Sequence, residues 1–199
     1  FTPVYIPGNR IVVHSCHPHA EFALRRQQAE PSFPVRFEQF AADIRFEIAT
    51  PGQAFEVDGT RVVAHAQRHA GGSYGWRFER GGKSLVYSTD SEHRLEDEAE
   101  RAGFITFFRD ADAVVFDAMY SLADAISVKA DWGHSSNIVG VELCQAARAR
   151  RLVMFHHEPA YSDTQIANVL AETRRFEQIT RDGHVLEVLS AWDGLELTL

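Results

Sequence analysis

Val86-Tyr87-Ser88-Thr89-Asp90 is a short apolar run that closes on a carboxylate. The same device recurs on both sides of it. Upstream stands Arg68-His69-Ala70-Gly71-Gly72-Ser73-Tyr74-Gly75-Trp76; downstream come Asp131-Trp132-Gly133-His134-Ser135-Ser136 and Val153-Met154-Phe155-His156-His157-Glu158-Pro159. Imidazole and carboxylate bind zinc, iron and manganese. At strand ends they stand on rigid backbone and can converge from distant parts of the chain. The candidate ligands are His69, Asp90 and His156, with the carboxylate suited to bridge two ions. Gly71-Gly72 lets backbone approach such a site closely.

Around these segments the pattern alternates between strand and helix. Arg10 to His14 is a buried-type strand, Ala20 to Ala29 a helix stopped before Glu30-Pro31, and Ile44 to Ala49 a half-buried strand. Ala54 to Val57 and Thr60 to Gln67 form a hairpin about Asp58-Gly59; Trp76 to Arg80 and Lys83 to Ser88 form a second about Gly81-Gly82. Glu92 to Arg109 is predicted as a helix, Ala113 to Asp117 as a buried strand, and Ser136 to Arg151 as a helix capped by Ser135 or Ser136. Leu152 to Phe155 is a strand, Asp163 to Ile179 an amphipathic helix capped by Ser162 or Asp163, and Val185 to Leu189 the last strand. No linker or repeat divides residues 1 to 199, so a single α/β domain is expected.

The 199 residues suffice for a core, and 45% hydrophobic with 24% charged residues is an ordinary globular balance. A net charge of −8 argues against nucleic acid as the main partner. A phosphate-bearing substrate stays open, because bound metal ions dominate a local field. Two cysteines, Cys16 and Cys144, are too few for a disulfide framework, so a reducing, cytoplasmic setting is expected. No apolar run reaches the roughly 18 residues of a membrane span. The chain opens Phe1-Thr2-Pro3-Val4-Tyr5 without an initiator Met or a signal pattern, as a processed or partial chain would.

The four segments, in this order, resemble the later motifs of the metallo-β-lactamase-fold hydrolases. They are most similar to the branch that includes tRNase Z and phosphodiesterases. The resemblance covers nearly the whole chain. It implies an αββα sandwich and two divalent metal ions, zinc first, with manganese or iron as alternatives. It also implies that His69 binds one ion, Asp90 bridges both and takes part in catalysis, and His156 binds the second. His134, in Gly133-His134-Ser135-Ser136, resembles the branch's histidine that contacts the phosphate and acts as general acid. Asp117 and Glu92 are candidates to orient a ligand imidazole. His157 is a candidate for support behind the ligands or for packing the loop.

The family's His-x-His-x-Asp-His motif, which precedes these segments, is absent from the sequence. The expectation is a chain without the N-terminal strands and first metal motif, in which the remaining ligands hold two ions poorly. Exposed strand edges would then favour homo-oligomers or a complementing N-terminal segment. Only residues 70 to 89 separate His69 from Asp90, room for one hairpin and not for a tRNA-binding arm. The expected reaction is hydrolysis of a small phosphodiester, such as a cyclic nucleotide, by metal-activated hydroxide. A lactone, thioester or other carbonyl ester is the alternative substrate, and a non-catalytic or split-chain binding module the alternative class.

Blander readings compete at each residue. Asp90, before Ser91-Glu92, also suits the N-cap of a following helix. His69 suits a solvent-facing loop, and His134 a helix start held by its serine neighbours. His14, Cys16, His17 and His19 resemble a second metal cluster, but a structural or surface role is favoured there, because His19 is followed by Ala20-Glu21. The aromatics Trp76, Phe78 and Phe104 to Phe108, with Cys144, read as core.

Overall fold

The computed structural model describes residues 2–121 and 133–199. They form two compact units, Phe1–Gln53 and Ala54–Leu199.

In the first unit, strands β1 (Arg10–Ser15) and β2 (Asp43–Ile48) pair in parallel, from Arg10 opposite Asp43 to Ser15 opposite Ile48. A parallel pair needs a crossover, which the helix α1 (Ala20–Gln27) and a 3-10 turn at Phe37–Gln39 supply. Phe37 is the anchor: it is buried, meets Phe40 and Phe46, and carries the Arg25 guanidinium 4.2 Å above its ring. Among the described residues His14, Cys16, His17 and His19 form no set that could hold a metal ion. His14 faces Glu47 at 3.5 Å, the His17 amide donates to Ser15 Oγ, and Cys16 is buried.

The second unit is one seven-stranded sheet in chain order: β3 (Ala54–Val57), β4 (Thr60–Gln67), β5 (Ser73–Arg80), β6 (Lys83–Ser88), β7 (Ala113–Asp117), β8 (Arg151–Phe155) and β9 (Glu187–Ser190). Strands β3 to β6 are antiparallel neighbours, and β6 to β9 are parallel. The β3–β4 and β5–β6 turns are two residues long with φ positive throughout, at Asp58-Gly59 and Gly81-Gly82, the condition for strands of native twist. Strand β4 therefore runs in the same direction as β6, β7, β8 and β9. The carboxyl ends of all five lie along one edge of the sheet.

Among the described residues three helices pack on this sheet: α2 (Glu98–Phe108), α3 (Asn137–Ala146) and α4 (Asp163–Thr180). Their apolar sides share one core with Val114 and Phe116 of β7, Leu152 and Met154 of β8, and Val188 of β9. Phe104, Phe107, Phe108 and Cys144 are buried in it as expected, and burial pushes the Cys144 thiol far up. Among the described residues no helix is long and apolar enough to cross a membrane.

Three helices are shorter than the sequence predicts, α1 ending at Gln27 rather than Ala29. Helix α2 starts at Glu98, not Glu92, because Asp97 caps it by accepting from the amides of Ala99 and Glu100. Asp90 is thus not a helix cap. Helix α3, capped by Ser136, ends at Ala146 because Arg148 turns left-handed (φ 56°) and the Ala149 amide returns to the Cys144 carbonyl. Strand β5, in contrast, begins three residues earlier than predicted, at Ser73, where it pairs with Gln67.

Candidate metal centre

The edge that gathers the strand ends also gathers the candidate ligands. His69 follows β4, Asp90 follows β6, Asp117 ends β7 and His156 follows β8. Asp90 and His156 both adopt left-handed backbone, at φ 53° and 57°. For a histidine that conformation costs on the order of 1–3 kcal/mol, and such strain concentrates at functional sites. It breaks the strand alternation where the chain leaves the sheet. His156 Nε2 consequently stands 3.7 Å from Asp90 Oδ1, while His157 turns to Ser190 Oγ on β9, at 3.0 Å. Burial lowers the His157 pKa.

His134 joins this group from the loop before α3. Its ring stacks on His156 at 4.9 Å and meets His69 edge-on at 5.1 Å. Its Nδ1 lies 2.8 Å from Oδ2 of the fully buried Asp117. The amides of Ser91 and Met119 donate to the two oxygens of the same carboxylate. Burial raises the Asp117 pKa, and His134 opposes that shift. Among the described residues two sets of three can hold a metal ion: His69, Asp90 and His134, and Asp117, His134 and His156. In each set the ligand atoms lie within 4.8 Å of one another.

His134 is therefore common to both sets, where the sequence placed it beside the metals as a phosphate contact. Asp117 orients the His134 imidazole and is itself within reach of an ion. Among the described residues Glu92 pairs with Arg94 and Gly133 rather than with an imidazole. Its Oε2 accepts from the Gly133 amide at 3.3 Å, and its own amide donates to the Arg68 carbonyl. Gly133 in turn lies so close to His69 that a Cβ there would fall 2.7 Å from its ring. Glu92 thus ties the His134 loop to the backbone beside His69. Asp131 and Trp132 lie outside the described residues.

The ring nitrogens are disposed as metal ligation requires. His69 Nδ1 faces the Ala70 carbonyl at 3.0 Å, so it carries the proton and leaves the Nε2 lone pair open. The His134–Asp117 pair leaves Nε2 of His134 open in the same way. An imidazole whose far nitrogen donates to a carboxylate or carbonyl is the usual supported ligand.

Two buried polar groups that the sequence reading passed over hold these loops. Gln67 crosses β5 above Gly75: its amide nitrogen donates to the Thr89 carbonyl (2.7 Å), and Ser88 Oγ donates to its oxygen (2.7 Å). A Cβ at residue 75 would stand 2.3 Å from that oxygen, so the glycine is required. His93 packs against Phe104 (4.2 Å) and stacks on Phe116 (4.8 Å), and burial lowers its pKa to about 3. The helix predicted over Glu92 to Arg109 concealed it. Gly75 in mid-strand was the one local signal for Gln67.

The sequence pattern of the beta-lactamase superfamily domain matches residues 7–157. The chain belongs to the beta-lactamase superfamily. Its fold is that of the metallo-β-lactamase proteins. The structure is similar to the metallo-β-lactamase fold protein YhfI from Bacillus subtilis, with 16% identity and a TM-score of 0.65, over 94% of this chain and 64% of that one. Unliganded yeast PDE1 aligns at 12% identity and a TM-score of 0.68, over 92% of this chain and 58% of that one. The short form of human tRNase Z aligns at 16% identity and a TM-score of 0.56, over 92% of this chain and 66% of that one. The chain spans less than two thirds of the length of each. No curated protein is significantly similar in sequence. Within the superfamily, proteins are mostly metal-dependent hydrolases, and the two ligand sets of this member are the feature that answers to that chemistry.

Proposed function

We propose that this superfamily member is a metal-dependent hydrolase of small phosphodiesters, such as a cyclic nucleotide, and that His134 is its proton donor. The observation that carries the reading is the convergence of His69, Asp90, Asp117, His134 and His156 on one strand edge. The donor set fits a divalent ion: the His69 and His156 imidazoles and the Asp90 carboxylate can bind while leaving positions for water and substrate, with His134 beside them. His69, Asp90 and His156 would hold the divalent ions, and His134 would stand beside them as the proton donor. Such ions supply Lewis acidity and make hydroxide available at neutral pH. Zinc is the leading metal, and manganese and iron accept the same donors.

The protein's own part is proton handling and orientation. Asp117 fixes the His134 ring through Nδ1, so a proton carried on Nε2 points away from the buried carboxylate and can pass to a leaving oxygen. Residues 73–88 form only the β5–β6 hairpin between His69 and Asp90, which supports a small substrate over tRNA. The two cysteines are buried and unpaired, as a reducing compartment such as the cytoplasm would keep them.

The test is metal analysis of the full chain, followed by hydrolysis assays with zinc or manganese present. Bis-p-nitrophenyl phosphate and cyclic nucleotides are compared with a lactone and a thioester. Phosphodiester turnover that falls in His134→Gln is the expected result. Turnover of the carbonyl esters alone would move the assignment to that substrate class, and metal-free, inactive protein would favour a non-catalytic binding module.

A further inference from the structure

The loops that carry Asp90 and His134 are joined by a buried hydrogen-bonded knot of Ser91, His93 and Ser135. Ser135 Oγ donates to the Ser91 carbonyl at 2.8 Å. The same oxygen accepts from the His93 amide at 3.1 Å and meets His93 Nδ1 at 2.5 Å. Because its single proton goes to the carbonyl, Ser135 must accept from the ring, which places the imidazole proton on Nδ1. His93 Nε2 then faces Ser91 Oγ, at 3.3 Å, as an acceptor. All three residues are buried, and the stack of His93 on Phe116 fastens the knot to the core.

The knot closes a ring around the site. Asp117 Oδ2 receives both the Ser91 amide (3.2 Å) and His134 Nδ1 (2.8 Å). Ser91 follows Asp90 in the chain, and Ser135 follows His134. The four residues Asp117, Ser91, Ser135 and His134 thus form a cycle, and the bonds of Ser135 to Ser91 and His93 close it between the His134 loop and the Asp90 loop.

We propose that Ser135 and His93 are positioning residues, which hold the His134 loop against the Asp90 loop and so fix the Asp90 carboxylate and the His134 imidazole in register with Asp117. This rests on the metal-centre reading above. The adjacent hydroxyl provides a control. Ser136 accepts from the Val139 amide as the cap of α3 and makes no bond to the Asp90 loop. Two serines side by side therefore divide the work: one closes the site, the other starts a helix.

The experiment is Co2+ titration of the full-length chain, read by the visible d–d bands, with circular dichroism and Tm measured alongside. Ser135→Ala is expected to weaken Co2+ binding about 10- to 100-fold, as loss of an outer partner does, and to shift the bands. Ser136→Ala is expected to lower Tm and leave the titration unchanged. His93→Asn, which keeps a donor near the Nδ1 position, should bind Co2+ better than His93→Leu, which fills the aromatic pocket without one. If Ser135→Ala does not fold, the two His93 variants decide the matter. A folded Ser135→Ala, or a His93→Leu, with wild-type affinity and spectrum overturns the positioning role while the metal centre stands. Wild-type protein that binds no Co2+ overturns both.

Discussion

The two ends of the seven-stranded sheet are built on opposite rules. At the hairpin end, charge is met by opposite charge. Arg61 and Arg77 flank Glu79 at 2.6 and 2.8 Å, while Lys83 and Arg150 reach Asp112 at 3.5 and 2.8 Å. Those bridges lower the pKa of Glu79, and the lowered pKa of Asp112 is the balance of burial against its Ser84, Lys83 and Arg150 partners. At the carboxyl end, Asp90, His69, His134 and His156 crowd together with open nitrogens, and two of the four residues sit on left-handed backbone. One end spends its polar groups on stability. The other holds donors near each other at a cost in stability, which a bound ion would offset.

The largest effect expected from breaking this contrast is at Asp90. Asp90→Ala removes the carboxylate offered as the bridge, so metal content and phosphodiester turnover fall by more than the roughly 100-fold upper range for an outer partner. Tm in the absence of metal falls slightly, because the left-handed backbone at residue 90 (φ 53°) suits aspartate better than alanine. Retained metal and turnover, by elemental analysis and steady-state assay, would remove Asp90 from the site.

A subtler break lies beneath the ligands. Gly75→Ala drives the Gln67 amide away from Ser88 and Thr89 and leaves buried polar groups unpaired, a loss of about 1–3 kcal/mol. Urea denaturation measures it. A fall in metal affinity beyond the loss of stability would show that Gln67 also governs the spacing of His69 and Asp90.

Acid should attack the same end. His93 is neutral in the fold, its pKa lowered to about 3 from 6.5. Between those values the unfolded chain binds a proton that the folded chain refuses. Its contribution to stability is therefore complete above pH 6.5 and declines as pH falls toward 3, with a slope of about 1.4 kcal/mol per pH unit. Half-buried His65 and His157 shift in the same direction and steepen the loss. Stability measured from pH 8 downward in metal-free protein checks this, and His93→Asn should flatten the curve.

The smallest effect belongs to the hairpin end. Arg61→Ala breaks a half-exposed bridge and costs less than about 1 kcal/mol, with metal binding untouched. An effect of Arg61 on metal affinity would show that the two ends are coupled.

Sequence alone determined the parts of this protein that local chemistry specifies. Asp58-Gly59 and Gly81-Gly82 admit the positive φ of tight turns, so both hairpins and the strands they join were legible. The apolar runs at Ala113–Asp117 and over Leu152 to Phe155 announced buried strands, and the polar residues at or after their ends announced candidate ligands. Tertiary structure decided what those residues became. No local rule distinguishes Asp90 from Asp97 as a helix cap; the bonds of the 91–93 segment to Ser135 and Asp117, across 26 to 44 residues, keep it out of the helix. The same long-range pairing made His134 a shared member of the site, gave Glu92 the Gly133 amide in place of an imidazole, and buried His93. Hydrogen bonds between loops far apart in sequence leave no periodicity to read, because each partner is chosen by where the sheet delivers it.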